Sequence, residues 1–256
     1  MADGRRARQL ALAFPAGWGG ARAGAGRKRG ARSNVPHRAR PVQRAAVPVH
    51  VTLRARVAPL RSQHVFPTLR LALARANRRD PARFRVLHFS VQHDHLHLIV
   101  EAADKRALSS GIRSVAILVA RYVNALLSRR GALWADRFHA RALETPREVR
   151  SAFVYVLANF RKHARRRRTR GIDPFSSGAW FDGWRDCKPD SGAAPPFAEA
   201  AAWARAQHGR TLIRTGGADG HDEPQASPVR APRTWLARVG WRRHGLVALD
   251  EAPAGT

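Results

Sequence analysis

The segment His93-Asp94-His95-Leu96-His97-Leu98-Ile99-Val100 constrains this chain more than any other. It alternates imidazole with aliphatic carbon, and successive side chains of a strand point to opposite faces. Leu96, Leu98 and Val100 are therefore expected in a core, with His95 and His97 together on the other face. At a rise of ~3.3 Å per residue their backbones lie roughly 6.6 Å apart, so two neutral imidazoles can converge on one metal ion. Solvent-facing or hydrogen-bonded histidines produce the same pattern, and 12 histidines make one chance pair unsurprising. The pair gains weight from Tyr155 and Asn159, four residues apart in a helical stretch and hence on one face.

The apolar periodicity around these motifs defines the elements. Val49, Val51 and Leu53 alternate with polar residues, the signal of a half-buried strand, with order beginning near Val47. Pro67 precedes a helix over 68–77 carrying Leu69, Leu73 and Ala76. A second strand over 83–92 has Leu87, Phe89 and Val91 as its apolar face, and the histidine strand follows as its antiparallel partner. A long helix over 105–129 bears Leu108, Ile112, Val115, Val119, Val123 and Leu126, with Gly131 as its terminator. A short strand over 137–143 leads to Thr145-Pro146-Arg147-Glu148, which reads as an N-cap, a first-turn proline and the glutamate of a capping box. That helix is expected to reach about His163. The order strand, helix, strand, strand, helix, strand, helix predicts an α+β fold, a ferredoxin-like antiparallel sheet with packed helices.

Outside this region the pattern changes. Residues 1–43 are Gly-, Ala- and Arg-rich without apolar periodicity, and are read as a disordered basic arm. Residues 44–165 form the folded domain, and 166–256 an irregular extension in which Thr234 to Leu249 carries enough tryptophan, leucine and valine to dock as one element. The net charge is +29 with a pI near 12.0. Such charge favours a polyanionic partner, since each neutralised phosphate releases counterions. All but four of the 47 basic residues are arginine, a bias that a GC-rich genome also produces. Cys187 is the single cysteine, which excludes an intrachain disulfide and a cysteine-based zinc module. The apolar run Leu10 to Phe14 is too short for an export signal and breaks at Pro15. No stretch approaches the ~20 apolar residues of a membrane span, so the expected location is cytoplasmic and nucleoid-associated, with no membrane partner.

On the helical wheel of the last helix, Val149, Phe153, Val156, Leu157 and Phe160 form the buried face. Tyr155, Asn159 and Lys162 cluster away from its centre. Lys162 could assist electrostatically or be an ordinary solvated lysine. Arg113, Arg121, Arg137, Arg161, Lys162 and Arg165 are candidate contacts to a nucleic-acid backbone, with arginine too abundant to choose among them. His139 is expected either to line the site or to pack elsewhere. Tyr122, the other tyrosine, has Leu126 rather than an amide four residues on.

His95-Leu96-His97, Tyr155-x-x-x-Asn159, Trp134-Ala135-Asp136-Arg137-Phe138-His139 and Thr145-Pro146-Arg147-Glu148-Val149 together resemble the single-tyrosine HUH transposases, nearest their REP-associated tyrosine transposase branch. The resemblance covers about residues 45–165 and implies the HUH endonuclease fold. It implies that His95, His97 and Asn159 bind a divalent cation, Mg²⁺ or Mn²⁺. Relatives often carry Gln at the position of Asn159, which is a shorter variant. It further implies that Tyr155 attacks single-stranded or hairpin DNA to form a 5′-phosphotyrosine, in a monomer or homodimer. Two alternatives stay open on sequence: a non-catalytic or domesticated hairpin-binding protein on the same fold, and a relaxase or replication-initiator nuclease.

Overall fold

A computed structural model describes residues 43–57, 59–163, 171–185 and 227–253. The basic arm, Arg165 and Cys187 lie outside the described residues, apart from Gln43 at the end of the arm. Four strands and three helices alternate as anticipated: β1 (Val49–Arg54), α1 (Phe66–Arg78), β2 (Phe84–Val91), β3 (His95–Ala102), α2 (Lys105–Leu126), β4 (His139–Ala142) and α3 (Pro146–His163). The strands make one antiparallel sheet in the order β2-β3-β1-β4. This is the α+β, ferredoxin-like arrangement.

The two faces of the sheet have different chemistry. One face presents Val49, Val51 and Leu53 of β1 with Leu96, Leu98 and Val100 of β3, all buried under α1 and α2. The other packs against α3 through Leu87 and Ile99, which meet Val149, Phe153, Val156 and Leu157. The polar residues of β1 and β3 fall on this second face. Thr52 stands opposite His97 and Arg54 opposite His95, while His139 of β4 stands opposite Thr52.

Strand β2 departs from the simple alternation. A register shift between Val86 and His88 makes Leu87 the extra residue of a bulge. Phe84 and Val86 face α1 and α2 before the bulge, and Phe89 and Val91 face them after it, whereas Leu87 joins the α3 side. The expected single face of Leu87, Phe89 and Val91 is thus split, because one inserted residue inverts the side-chain parity of everything beyond it.

The helix termini follow local chemistry. Asp104 caps α2 by accepting from the Ala107 N–H at 2.7 Å. The helix stops at Leu126 rather than near Gly131, and Ser128 takes the left-handed turn with φ 48°. The capping box of α3 forms reciprocally: Glu148 N–H donates to Thr145 Oγ1 at 3.2 Å, and Thr145 N–H donates to Glu148 Oε2 at 3.1 Å.

The described parts of the extension share the core beneath α3. A short helix α4 (Trp235–Arg238) and a 3-10 turn (Gly240–His244) bring Leu236 and Trp241 against Phe153 and Phe181. Arg150 on α3 holds Glu251 with a two-pronged pair at 2.7 and 2.9 Å. Among the described residues, no helix is long and apolar enough to cross a membrane.

Candidate active site

Packing α3 across the histidine face of the sheet brings the sequence-predicted residues into one open cleft of about 800 Å³, lined by His95, His97, His139, Tyr155 and Asn159. The Tyr155 ring meets His97 edge-on, with centroids 5.3 Å apart and planes at 84°. His95 and His97 stack nearly parallel at 6.1 Å, their planes 9° apart. Asn159 is only 3% exposed, so it lies deeper than a helix wheel alone indicates. The flank of the apolar stripe is closed over by the sheet.

Each histidine has one ring nitrogen engaged. His97 Nδ1 lies 3.1 Å from Thr52 Oγ1, and His95 Nδ1 lies 2.6 Å from Asp94 Oδ1. Such contacts orient an imidazole and leave Nε2 as the nitrogen for ligation. Burial, followed by the nearby His50 and His95, lowers the His97 pKa to about 3. His97 is therefore neutral at physiological pH, as a metal ligand must be. The donor set of two imidazoles and one amide suits a divalent cation that keeps open positions for phosphate oxygen. Among the described residues no group of three or more His, Cys, Asp or Glu could hold a metal ion by itself; Asn159 lines the same cleft as the two histidines, together with Gln92, Asp94 and His139.

Several residues at the site escaped the sequence reading. His50 stacks on His97 at 5.5 Å and touches the Tyr155 ring edge-on at 5.5 Å. Its pKa falls to about 4 through burial and then the Arg141 charge, and its Nε2 is buried without a hydrogen-bond partner among the described residues. Thr52 and His50 had a usable signal, since the polar positions of β1 must share the face opposite Val49 and Val51. Arg61, which also lines the cleft, sits in an irregular stretch with no periodicity to mark it.

The expected DNA-contacting cations are placed differently. Arg161 donates to the carbonyls of Gly171, Leu249 and Glu251 and lies over the Phe160 ring, docking the extension onto α3. Arg137 precedes β4, is half-buried and is outside the lining of this cleft. Lys162 belongs to α3, but its side chain is outside the described set, as is Arg165. Tyr122 lies under the opposite face of the sheet, where Arg75 donates to its hydroxyl.

No family model and no curated protein matches the chain. One solved structure resembling it is described as a REP-associated tyrosine transposase bound to a REP hairpin, at a TM-score of 0.40 and 20% identity, covering 50% of this chain and 74% of that one. An overlap this loose assigns no role to any residue here.

Proposed function

We propose that the chain is a transposase that cuts and rejoins single-stranded DNA, with Tyr155 as nucleophile. The observation that carries this reading is the edge-on approach of the Tyr155 ring to His97, inside the cleft that also holds His95 and Asn159. In the step, Tyr155 Oη attacks a backbone phosphorus and the bond from phosphorus to the 3′-oxygen breaks. The phenolic proton passes to solvent, and the departing 3′-oxygen takes up a proton to become a hydroxyl. The product is a 5′-phosphotyrosine that retains the energy of the broken bond, so a second 3′-hydroxyl can reverse the step without ATP.

A free phenol has a pKa near ~10 and is a weak nucleophile at neutral pH. A divalent cation, Mg²⁺ or Mn²⁺, held by His95, His97 and Asn159 would supply Lewis-acid stabilisation of phosphate charge. The chain's own residues do the rest. Thr52 and Asp94 fix the imidazoles, α3 presents Tyr155 and Asn159 from consecutive turns, and the apolar packing beneath Phe153 fixes the helix. Hairpin DNA is the natural substrate form, since it combines a grip on a duplex with an accessible single strand.

The test is incubation of the full chain with an end-labelled DNA hairpin carrying single-stranded flanks, with Mg²⁺ or Mn²⁺, resolved on a denaturing gel. A covalent protein–DNA adduct is expected, absent in Tyr155→Phe and in chelator. An adduct that persists in Tyr155→Phe rejects the nucleophile, and tight binding with no adduct favours a non-catalytic hairpin binder.

A further inference from the structure

In a chain with 47 Lys and Arg, the described lining of the catalytic cleft contains one permanent cation, Arg61. Its guanidinium is fixed from behind. Nη1 donates to the Val91 carbonyl and to Asp173 Oδ2, both at 2.9 Å, and Nη2 donates to Asp173 Oδ1 at 2.7 Å. The group also lies over the Phe175 ring, 4.6 Å from its centroid. Asp173 is 1% exposed, and its Oδ1 accepts a further bond from the Phe175 N–H at 3.0 Å. A guanidinium has five N–H groups. Three are engaged here, leaving the Nε hydrogen and one on Nη2 without partners among the described residues.

A buried ion pair gains little stability over apolar packing of the same volume. What this arrangement does achieve is a planar fork held in a single orientation at the wall of a cleft, which is the geometry that recognises phosphate. We infer that Arg61 grips the non-bridging oxygens of a DNA phosphate in the cleft, with Asp173 and Phe175 as its positioning residues. The segment 171–185 is then a working part of the site rather than an appendage. The inference rests on the proposal that the cleft takes single-stranded DNA, and it names the residue that engages the backbone there.

Two variants of the full chain test it, each read by two measurements. Arg61→Gln combined with Asp173→Asn removes the cation without stranding a buried carboxylate. Asp173→Asn alone keeps the cation and loosens its orientation. Binding of a single-stranded oligonucleotide is followed across a salt titration, and adduct formation with Mn²⁺ is timed separately. In the double variant the slope of log K against log salt is expected to fall by about 0.7, the value of one phosphate contact on a single strand. In Asp173→Asn the slope is expected to hold while adduct formation slows about tenfold or more, since misplacement costs rate rather than charge. A double variant with native near-UV dichroism and an undiminished slope overturns the inference. So does Asp173→Asn with a wild-type adduct rate, and this second arm decides should the double variant not fold. A wild-type chain that shows the slope effect but forms no adduct rejects the cutting reaction and leaves Arg61 as a DNA contact. A wild-type chain that binds no oligonucleotide overturns both.

Discussion

Thr52 and Asp94 each hold one ring nitrogen of a cleft histidine, and they do so in different surroundings. Asp94 is about one-third exposed, so water can replace it, whereas the Thr52 contact faces a buried His97. Removing the hydroxyl is therefore expected to matter more on the Thr52 side. Thr52→Val should leave the fold intact and weaken metal affinity by about 10- to 100-fold. This would be measured as a shift of the Mn²⁺ dependence of adduct formation to higher concentration, with the rate recovered at saturation. Loss of rate that excess metal does not restore would point to Thr52 acting on the substrate instead. At this scale the sequence displayed the unusual residues well. His95, His97, Tyr155 and Asn159 stood out because their spacings match the repeats of strand and helix. Arg61 did not, because among so many arginines only tertiary placement separates one from another.

The elements were readable where a single period governs them, and less so where it is interrupted. The capping box at Thr145 and Glu148 is local chemistry and formed as the sequence indicated. Thr145→Ala is expected to cost about 1 kcal/mol, the usual value of an N-cap hydroxyl, visible as a lower urea midpoint with unchanged m-value. The bulge at Leu87 was invisible in the sequence, since Phe84 to Val91 is apolar enough to satisfy either parity. Its consequence is functional: it turns both Leu87 and His88 toward α3, lining the floor on which the Tyr155 helix rests. Close approach also distinguishes α2. A Cβ built on Gly111 would run into the Phe84 ring, so Gly111→Ala must displace that ring or the helix. A destabilisation of about 1–3 kcal/mol is expected from overpacking, outweighing the gain in helix propensity. A neutral or stabilising result in urea unfolding would show that the α2–β2 contact is more yielding than the structure indicates.

Across the described residues, the sheet separates an apolar side under α1 and α2 from a side that carries His50, His88, His95 and His97. His88 is enclosed on the latter, edge-on to Phe153 and Phe181 and beside Ser177 Oγ at 3.2 Å. Burial lowers its pKa from 6.5 to about 3. Above pH 6.5 the group is neutral in both folded and unfolded chains. Below it the unfolded chain binds a proton that the native state refuses, so stability is lost as the pH falls toward 3. The slope contributed by His88 is at most about 1.4 kcal/mol per pH unit. His88→Phe keeps a ring in place and removes the titration. Its unfolding free energy should change less between pH 7 and pH 5 than that of the parent, and equal changes would reject a neutral His88. The docking of Thr234 to Leu249 was expected from its tryptophan and leucine content, but its partner Phe181 lies in aperiodic sequence and could not be placed, because the two meet only through long-range packing.

The lateness of Asp173, Trp241 and Glu251 in the chain has a consequence for biosynthesis. On the ribosome the strands and the tyrosine helix emerge well before the residues that seat Arg61 and brace α3. A nascent chain thus carries Tyr155 before it carries the supports that hold the cleft in shape. Chains that stop after α3 would hold Tyr155 on an unbraced helix, and the cleft is expected to settle into shape only once Glu251 has been made.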